Sequence, residues 1–297
     1  MFKHILVPLD GSKMAESVMP IALFLSETCK SEITLIHIIE HNAPTRIHSD
    51  RHIRFPEEAL TYLENVKTNF PDRINVDYHV HTTEVGHVAQ SLVDHAKELD
   101  CDLIVLCTHG RIRLQQLLFG TIAQQTINIG DIPVLVIHPD ALLTSKSFSC
   151  ANMLVPLDIS EEHEKGIKTA RELARVLGCS LYIIVVIQTL ATLSGPRATE
   201  SRLAPVATAE MLELEEERAH NYLKGLTTEI SSDGIPVSGE VSRGEPSDII
   251  AKTALGIKAD LIVMGTHGKA GAEAFWSGSV TPRVFNKTNI PLLLVPI

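Results

Sequence analysis

Leu6-Val7-Pro8-Leu9-Asp10 returns as Leu154-Val155-Pro156-Leu157-Asp158, an offset of 148 residues. Working outward, Asp102-Leu103-Ile104-Val105 returns as Asp260-Leu261-Ile262-Val263, and Thr108-His109-Gly110 as Thr266-His267-Gly268, both at an offset of 158. Ile132-Pro133 returns at that second offset as Ile290-Pro291. An internal period this long means that one folding unit occurs twice. The second copy carries about ten extra residues between its front and back halves, and residues 140–150, partly Ser-rich, join the copies. The expected domains are 1–145 and 146–297.

Each copy alternates short apolar runs with helical patterns. Residues 5–9, 33–39 and 103–107 read as buried parallel strands, as do 181–187 and 261–265. Ser12 is placed to cap the first helix, which contains Pro20 and is expected to kink there. In the second copy Ser160 caps, Glu161 and Glu162 occupy the first turn, and Ile167, Ala170, Leu173, Ala174 and Leu177 form one stripe. Alternating strands and helices with right-handed crossovers give an α/β fold. Two doubly wound, five-stranded parallel sheets of Rossmann-like type are expected, one per copy.

The 297 residues divide at roughly 150 per domain into two cores, each large enough to fold without staples. The formal charge of −10 repels phosphate backbones and anionic lipid, which argues against nucleic-acid and membrane partners. No apolar run reaches the length of a membrane span, and the amino terminus lacks the pattern of a signal peptide. Five scattered cysteines without a C-x-x-C pair favour reduced thiols and a cytoplasmic location.

In a doubly wound sheet, ligands bind beyond the carboxyl ends of the strands at the switch point. In the second copy strand one ends at Asp158, strand two near Val186, and strand four runs into Gly265-Thr266-His267-Gly268. Nine residues then lead to Gly278-Ser279, a spacing of G-x2-G-x9-G-[ST]. Glycines admit a phosphate against the main chain. Gly278-Ser279-Val280-Thr281 opens a helix whose free N–H groups face an anion. No G-K-[ST] follows, so this is not a Walker A loop.

With these residues in view, the chain resembles the universal stress protein family in its tandem form, over essentially its whole length. The resemblance rests on residues 5–12, on Leu35-Ile36-His37-Ile38, on Thr108-His109-Gly110 with Gly120-Thr121, on residues 154–158, on Gly244-Glu245-Pro246 and on residues 265–279. It implies the ATP-binding branch, with ATP held beside a divalent ion such as Mg2+ or Mn2+. Carried over by residue, Pro156, Asp158 and Val186 would hold the adenosine. Gly265, Thr266 and His267 would lie beside the ribose. Gly268, Gly278, Ser279, Val280 and Thr281 would hold the phosphates. In the first copy Pro8, Asp10, Ile38, Gly110, Gly120 and Thr121 match. Cys107 stands there for Gly265 and Ala123 for Thr281, so that copy is degenerate.

The residues also carry plainer readings. His79-x-His81 share a strand face and, with His87 or His95, form a candidate zinc set, although solvated strand ends explain them too. Cys107 is a candidate redox thiol without a neighbouring cation to activate it. Trp276 reads as a packing residue, and His267 as a loop residue rather than an acid or base. The expected role is a stress-response module whose adenine nucleotide alters what an unidentified protein partner reads. A slow ATPase and a ligand-free interaction scaffold are the alternatives; the sequence offers no dedicated base or arginine finger for hydrolysis. The terminal strands of the family it resembles commonly pair across a dimer, so the resemblance implies that residues 133–138 and 291–296 pair and make an intramolecular pseudo-dimer, with a further homodimer left open.

Overall fold

A computed structural model of the protein describes residues 1–47, 50–108, 121–138, 147–158, 164–266 and 280–297. Two compact units emerge. The first holds residues 1–149 and takes in the segment Asn289–Pro296, which contains the chain's last strand; the second holds most of 150–288.

The first unit runs β1 (His4–Pro8), α1 (Lys13–Glu16), α2 (Met19–Cys29), β2 (Glu32–Glu40), a small hairpin of β3 (Arg46–Ile47) and β4 (Asp50–Arg51), α3 (Pro56–Lys67), β5 (Val76–Val85), α4 (Val88–Glu98), β6 (Leu103–Cys107), α5 (Thr121–Ile129) and β7 (Val134–Ile137). The second runs β8 (Asn152–Leu157), α6 (Glu164–Leu177), β9 (Ser180–Ile187), α7 (Gly195–Leu203), α8 (Pro205–Ser232), β10 (Val237–Arg243), α9 (Pro246–Gly256), β11 (Leu261–Thr266) and α10 (Val280–Lys287). The final strand is β12 (Leu292–Pro296).

Strand order in the first unit is β12-β7-β6-β1-β2-β5, and in the second β10-β9-β8-β11. The chain order therefore reverses between β1 and β6, and between β8 and β11, as a doubly wound α/β sheet requires. Within each unit the pairs are parallel, except that β12 meets β7 antiparallel with Leu292↔Val136, Leu293↔Leu135 and Leu294↔Val134 in register. Each repeat thus contributes five strands, β1, β2, β5, β6 and β7 from the first and β8 to β12 from the second, and the terminal strands β7 and β12 pair as expected. β7, buried along its whole length, gains a second strand neighbour and leaves no open edge there.

Burial follows the apolar runs. Ile5, Leu6 and Val7 of β1, Leu103 of β6, and Met153, Leu154 and Val155 of β8 are fully buried. Covered on both faces, such strands lose the alternation of a half-exposed sheet.

Pro20 corrects one expectation. The first helix does not continue through it with a kink. It stops at Ser17, and a new helix begins at Met19 with Pro20 in its first turn. A proline there forfeits no hydrogen bond, because first-turn N–H groups have no intrahelical acceptor. Ser12 caps as expected, its hydroxyl accepting from the Ala15 N–H at 3.1 Å. Ser160, Glu161 and Glu162 lie outside the described residues.

Candidate functional site

The ladders show where each sheet opens. β1 pairs with β2 over five positions but with β6 over only Ile5↔Leu103 and Leu6↔Ile104. β8 pairs with β9 over six positions but with β11 over only Met153↔Leu261 and Leu154↔Ile262. Past those two pairs the neighbouring strands have no ladder bonds left to hold them together. In the first unit a cleft lined by Pro8, Leu9, Asp10, Leu106 and Cys107 lies at that end, and the β8–β11 ladder stops at the corresponding place. In an open α/β sheet this is the place for a ligand.

In the second repeat Pro156 is half-buried, Asp158 is exposed just beyond β8, and Val186 is half-buried one residue before β9 ends. Gly265 is half-buried and Thr266 buried at the end of β11; the Thr266 hydroxyl donates to the Val295 carbonyl at 3.4 Å. A Cβ on Gly166 would stand 3.5 Å from the Gly265 nitrogen, so α6 runs close over that strand end. Val280 opens α10 half-buried, and Thr281 is buried beside it. His267, Gly268, Gly278 and Ser279 lie outside the described residues, as does Trp276.

The cations of α10 face α9. Arg283 donates to the Glu245 carboxylate at 2.6 Å. Lys287 donates to the Ser247 hydroxyl at 2.8 Å and also pairs with Asp248. Burial pushes the Glu245 carboxyl up, but bonds from Ser247 and the Asp248 N–H, with the Arg283 and Lys287 charges, outweigh it and hold it below the usual range. Glu245 also caps α9 through the Asp248 N–H at 2.9 Å. The Gly244-Glu245-Pro246 motif thus ties α9 to the helix that follows the glycine spacing.

In the first repeat, Pro8, Asp10 and Ile38 line one cleft of about 110 Å³ at the ends of β1, β2 and β6. Thr121 is exposed at the start of α5, and Gly110 and Gly120 lie outside the described residues. Cys107 borders the cleft and accepts from the Ser17 hydroxyl at 3.3 Å. Two histidines also reach it. His37 Nδ1 lies 2.7 Å from the Leu9 carbonyl and Nε2 3.2 Å from the Ile53 carbonyl. Burial pushes the His37 pKa down, against the pull of those carbonyls. His52, which follows the β3–β4 hairpin, is buried with neither ring nitrogen bonded. Sequence reasoning missed His52. Its one signal was length, since the connection between β2 and α3 exceeds an ordinary loop.

His79, His81 and His95 do gather, across β5 and α4. His95 Nε2 lies 2.8 Å from His81 Nδ1, His95 Nδ1 lies 2.9 Å from the Glu98 carboxylate, and the His79 and His95 rings are 4.7 Å apart. These contacts occupy both nitrogens of His95. Among the described residues no group of three His, Cys, Asp or Glu side chains is arranged to hold a metal ion.

Strand order and a repeated plan, with a switch point in each repeat, define a tandem doubly wound α/β protein. The model of the universal stress protein family matches residues 1–138 and again 151–296, and the chain belongs to that family. It is 31% identical over 143 residues to a universal stress protein of Methanocaldococcus jannaschii, an alignment covering 48% of this chain and 80% of that one. It is 26% identical over 200 residues to a universal stress protein of Mycobacterium tuberculosis, covering 66% of this chain and 62% of that one. The crystal structure of a universal stress protein from Archaeoglobus fulgidus superposes with a TM-score of 0.69 at 16% identity, covering 99% of this chain and 96% of that one. That likeness is one of fold. Among the described residues no helix is long and apolar enough to cross a membrane.

Proposed function

We propose that the second repeat binds an adenine nucleotide, ATP with a divalent ion such as Mg2+ or Mn2+, and that the protein acts as a nucleotide-dependent stress-response module. The observation that supports this reading is the β8–β11 ladder, which stops after two pairs at the switch point, with Asp158 just beyond one strand and Gly265 near the end of the other. Pro156, Asp158 and Val186 take the adenosine in this reading, and Gly265, Thr266 and His267 border the ribose. Gly268, Gly278, Ser279, Val280 and Thr281 take the phosphates.

Arg283 and Lys287 are committed to α9 carboxylates, so the main chain supplies the positive end of the site. In this reading the main chain around Gly278 and the positive end of the α10 dipole meet the phosphates. The first repeat, with Cys107 for Gly265 and Ala123 for Thr281, stands outside the nucleotide proposal. A nucleotide regulates only by binding one conformation better than another, so the regulatory part requires that affinity for a partner change with occupancy.

Titration calorimetry of the full chain with ATP in millimolar magnesium tests the reading. Equimolar binding is expected, lost on Gly278→Glu, which puts a carboxylate and its bulk where phosphate would lie. Absence of heat with ATP, ADP and AMP alike would remove the proposal.

A further inference from the structure

The cleft of the first repeat has a different chemistry. Leu9, Ile36, Ile38, Leu92, Leu106 and Ile122 give it carbon walls. Two carboxylates, Asp10 and Glu40, also line it, and no described Lys or Arg does, so no side chain of that lining neutralises an anion. At about 110 Å³ it is on the scale of the roughly 150 Å³ cavity that accepts benzene.

His52 borders this space at 5% exposure with both ring nitrogens unbonded. A buried polar group without a partner costs stability. Its persistence makes sense where something pairs with it in use. The neighbouring His37 cannot serve, because the Leu9 and Ile53 carbonyls already engage its two nitrogens. A neutral His52 ring offers one N–H donor and one lone pair, which suits a hydroxyl or a ring nitrogen.

We propose that this cleft binds a small uncharged molecule, an apolar body of about one aromatic ring bearing one hydrogen-bonding group that pairs with His52. Pro8, Asp10 and Ile38, which the family resemblance gives to a nucleotide, act here as walls. The site is independent of the second repeat's proposed nucleotide site, so either proposal can fail without the other.

The test uses the full chain and four probes: phenol, toluene, benzoate and magnesium ATP. Saturation-transfer NMR reports contact and calorimetry reports affinity. Phenol is expected to bind, toluene about tenfold more weakly for want of the hydroxyl, and benzoate not at all. ATP should leave phenol in place. His52→Phe should bring phenol down to the level of toluene without lowering the melting temperature, since it removes an unpaired polar group. Ala123→Leu, which fills the cleft from α5, should abolish both. Equal binding of phenol and toluene by the unmutated protein overturns the proposal, as does displacement of phenol by ATP or failure of both aromatics to bind.

Discussion

His79 shows how position sets the behaviour of a single side chain. It stands on β5 with the His95 ring 4.7 Å away. Burial, then the neighbouring His95 and His81 rings, push its pKa below the ordinary histidine value, against the weaker opposing pull of Glu98 and Asp77. The sign of the consequence follows from proton uptake. Below the ordinary value of about 6.5 the unfolded chain takes a proton that folded His79 resists. Acid therefore favours the unfolded chain. Stability is complete above that value and falls as pH drops through it toward the lowered folded value. Urea unfolding at pH about 7.5 and about 5.5, which bracket the ordinary value, should show the loss at the lower pH. His79→Gln should flatten the difference in part, His37 carrying the rest for the same reason. An unchanged pH dependence in that variant would mean the ring is not held neutral.

The repeated Asp102 and Asp260 act on elements. The Asp102 carboxylate accepts from the N–H groups of Lys3 at 2.8 Å and His4 at 3.1 Å, clamping the start of β1 to the start of β6. Asp260 does the same to Ala151 and Asn152 at 2.8 and 3.0 Å, clamping β8 to β11. The clamp sits at the amino ends of the strand pair whose carboxyl ends part. It keeps the break in the ladder at one end of the sheet. Asp260→Ala should lower the unfolding free energy of the second unit by about 1–2 kcal/mol, a charge-assisted pair discounted for exposure. Denaturant titration reads this directly, and an effect within error would reduce the aspartate to a surface residue. The reason for the repeated Asp-Leu-Ile-Val was invisible in the sequence, because its partners lie about a hundred residues earlier in the chain. The strands themselves were legible, since a short apolar run declares a buried parallel strand locally.

At the scale of the molecule, β12 brings the end of the chain to β7. It follows α10 in sequence yet groups with the first unit and pairs with β7. Removing residues 289–297 should therefore weaken the first unit, although the cut falls at the end of the second repeat. Hydrogen exchange at Val134–Ile137 is the place to look: those amides should lose protection in the truncated protein. Retained protection would show that β7 is stable without its antiparallel neighbour. The expectation that the terminal strands pair came from the family resemblance. The antiparallel register, with Leu293 opposite Leu135, did not, because a repeat in sequence carries no information on how its last strand aligns with another.

Within the candidate sites the same division holds. Pro8, Asp10 and Ile38 were named from the sequence, and the fold brings them to one cleft, because each stands at or beside the carboxyl end of a strand in a known order. His52 was not, since its connection has no periodicity and its place beside His37, on the distant strand β2, is set by the fold.

The amino-acid sequence alone determined the duplication, the alternation of strand and helix, and the glycine spacing after β11, because these are written in local period and in chain-flexible residues. Only the tertiary structure decided the register of β12 against β7, the clamps of Asp102 and Asp260, and the unbonded His52. Each of those depends on which distant backbone atoms arrive within hydrogen-bonding reach, and that is settled by packing over the whole sheet.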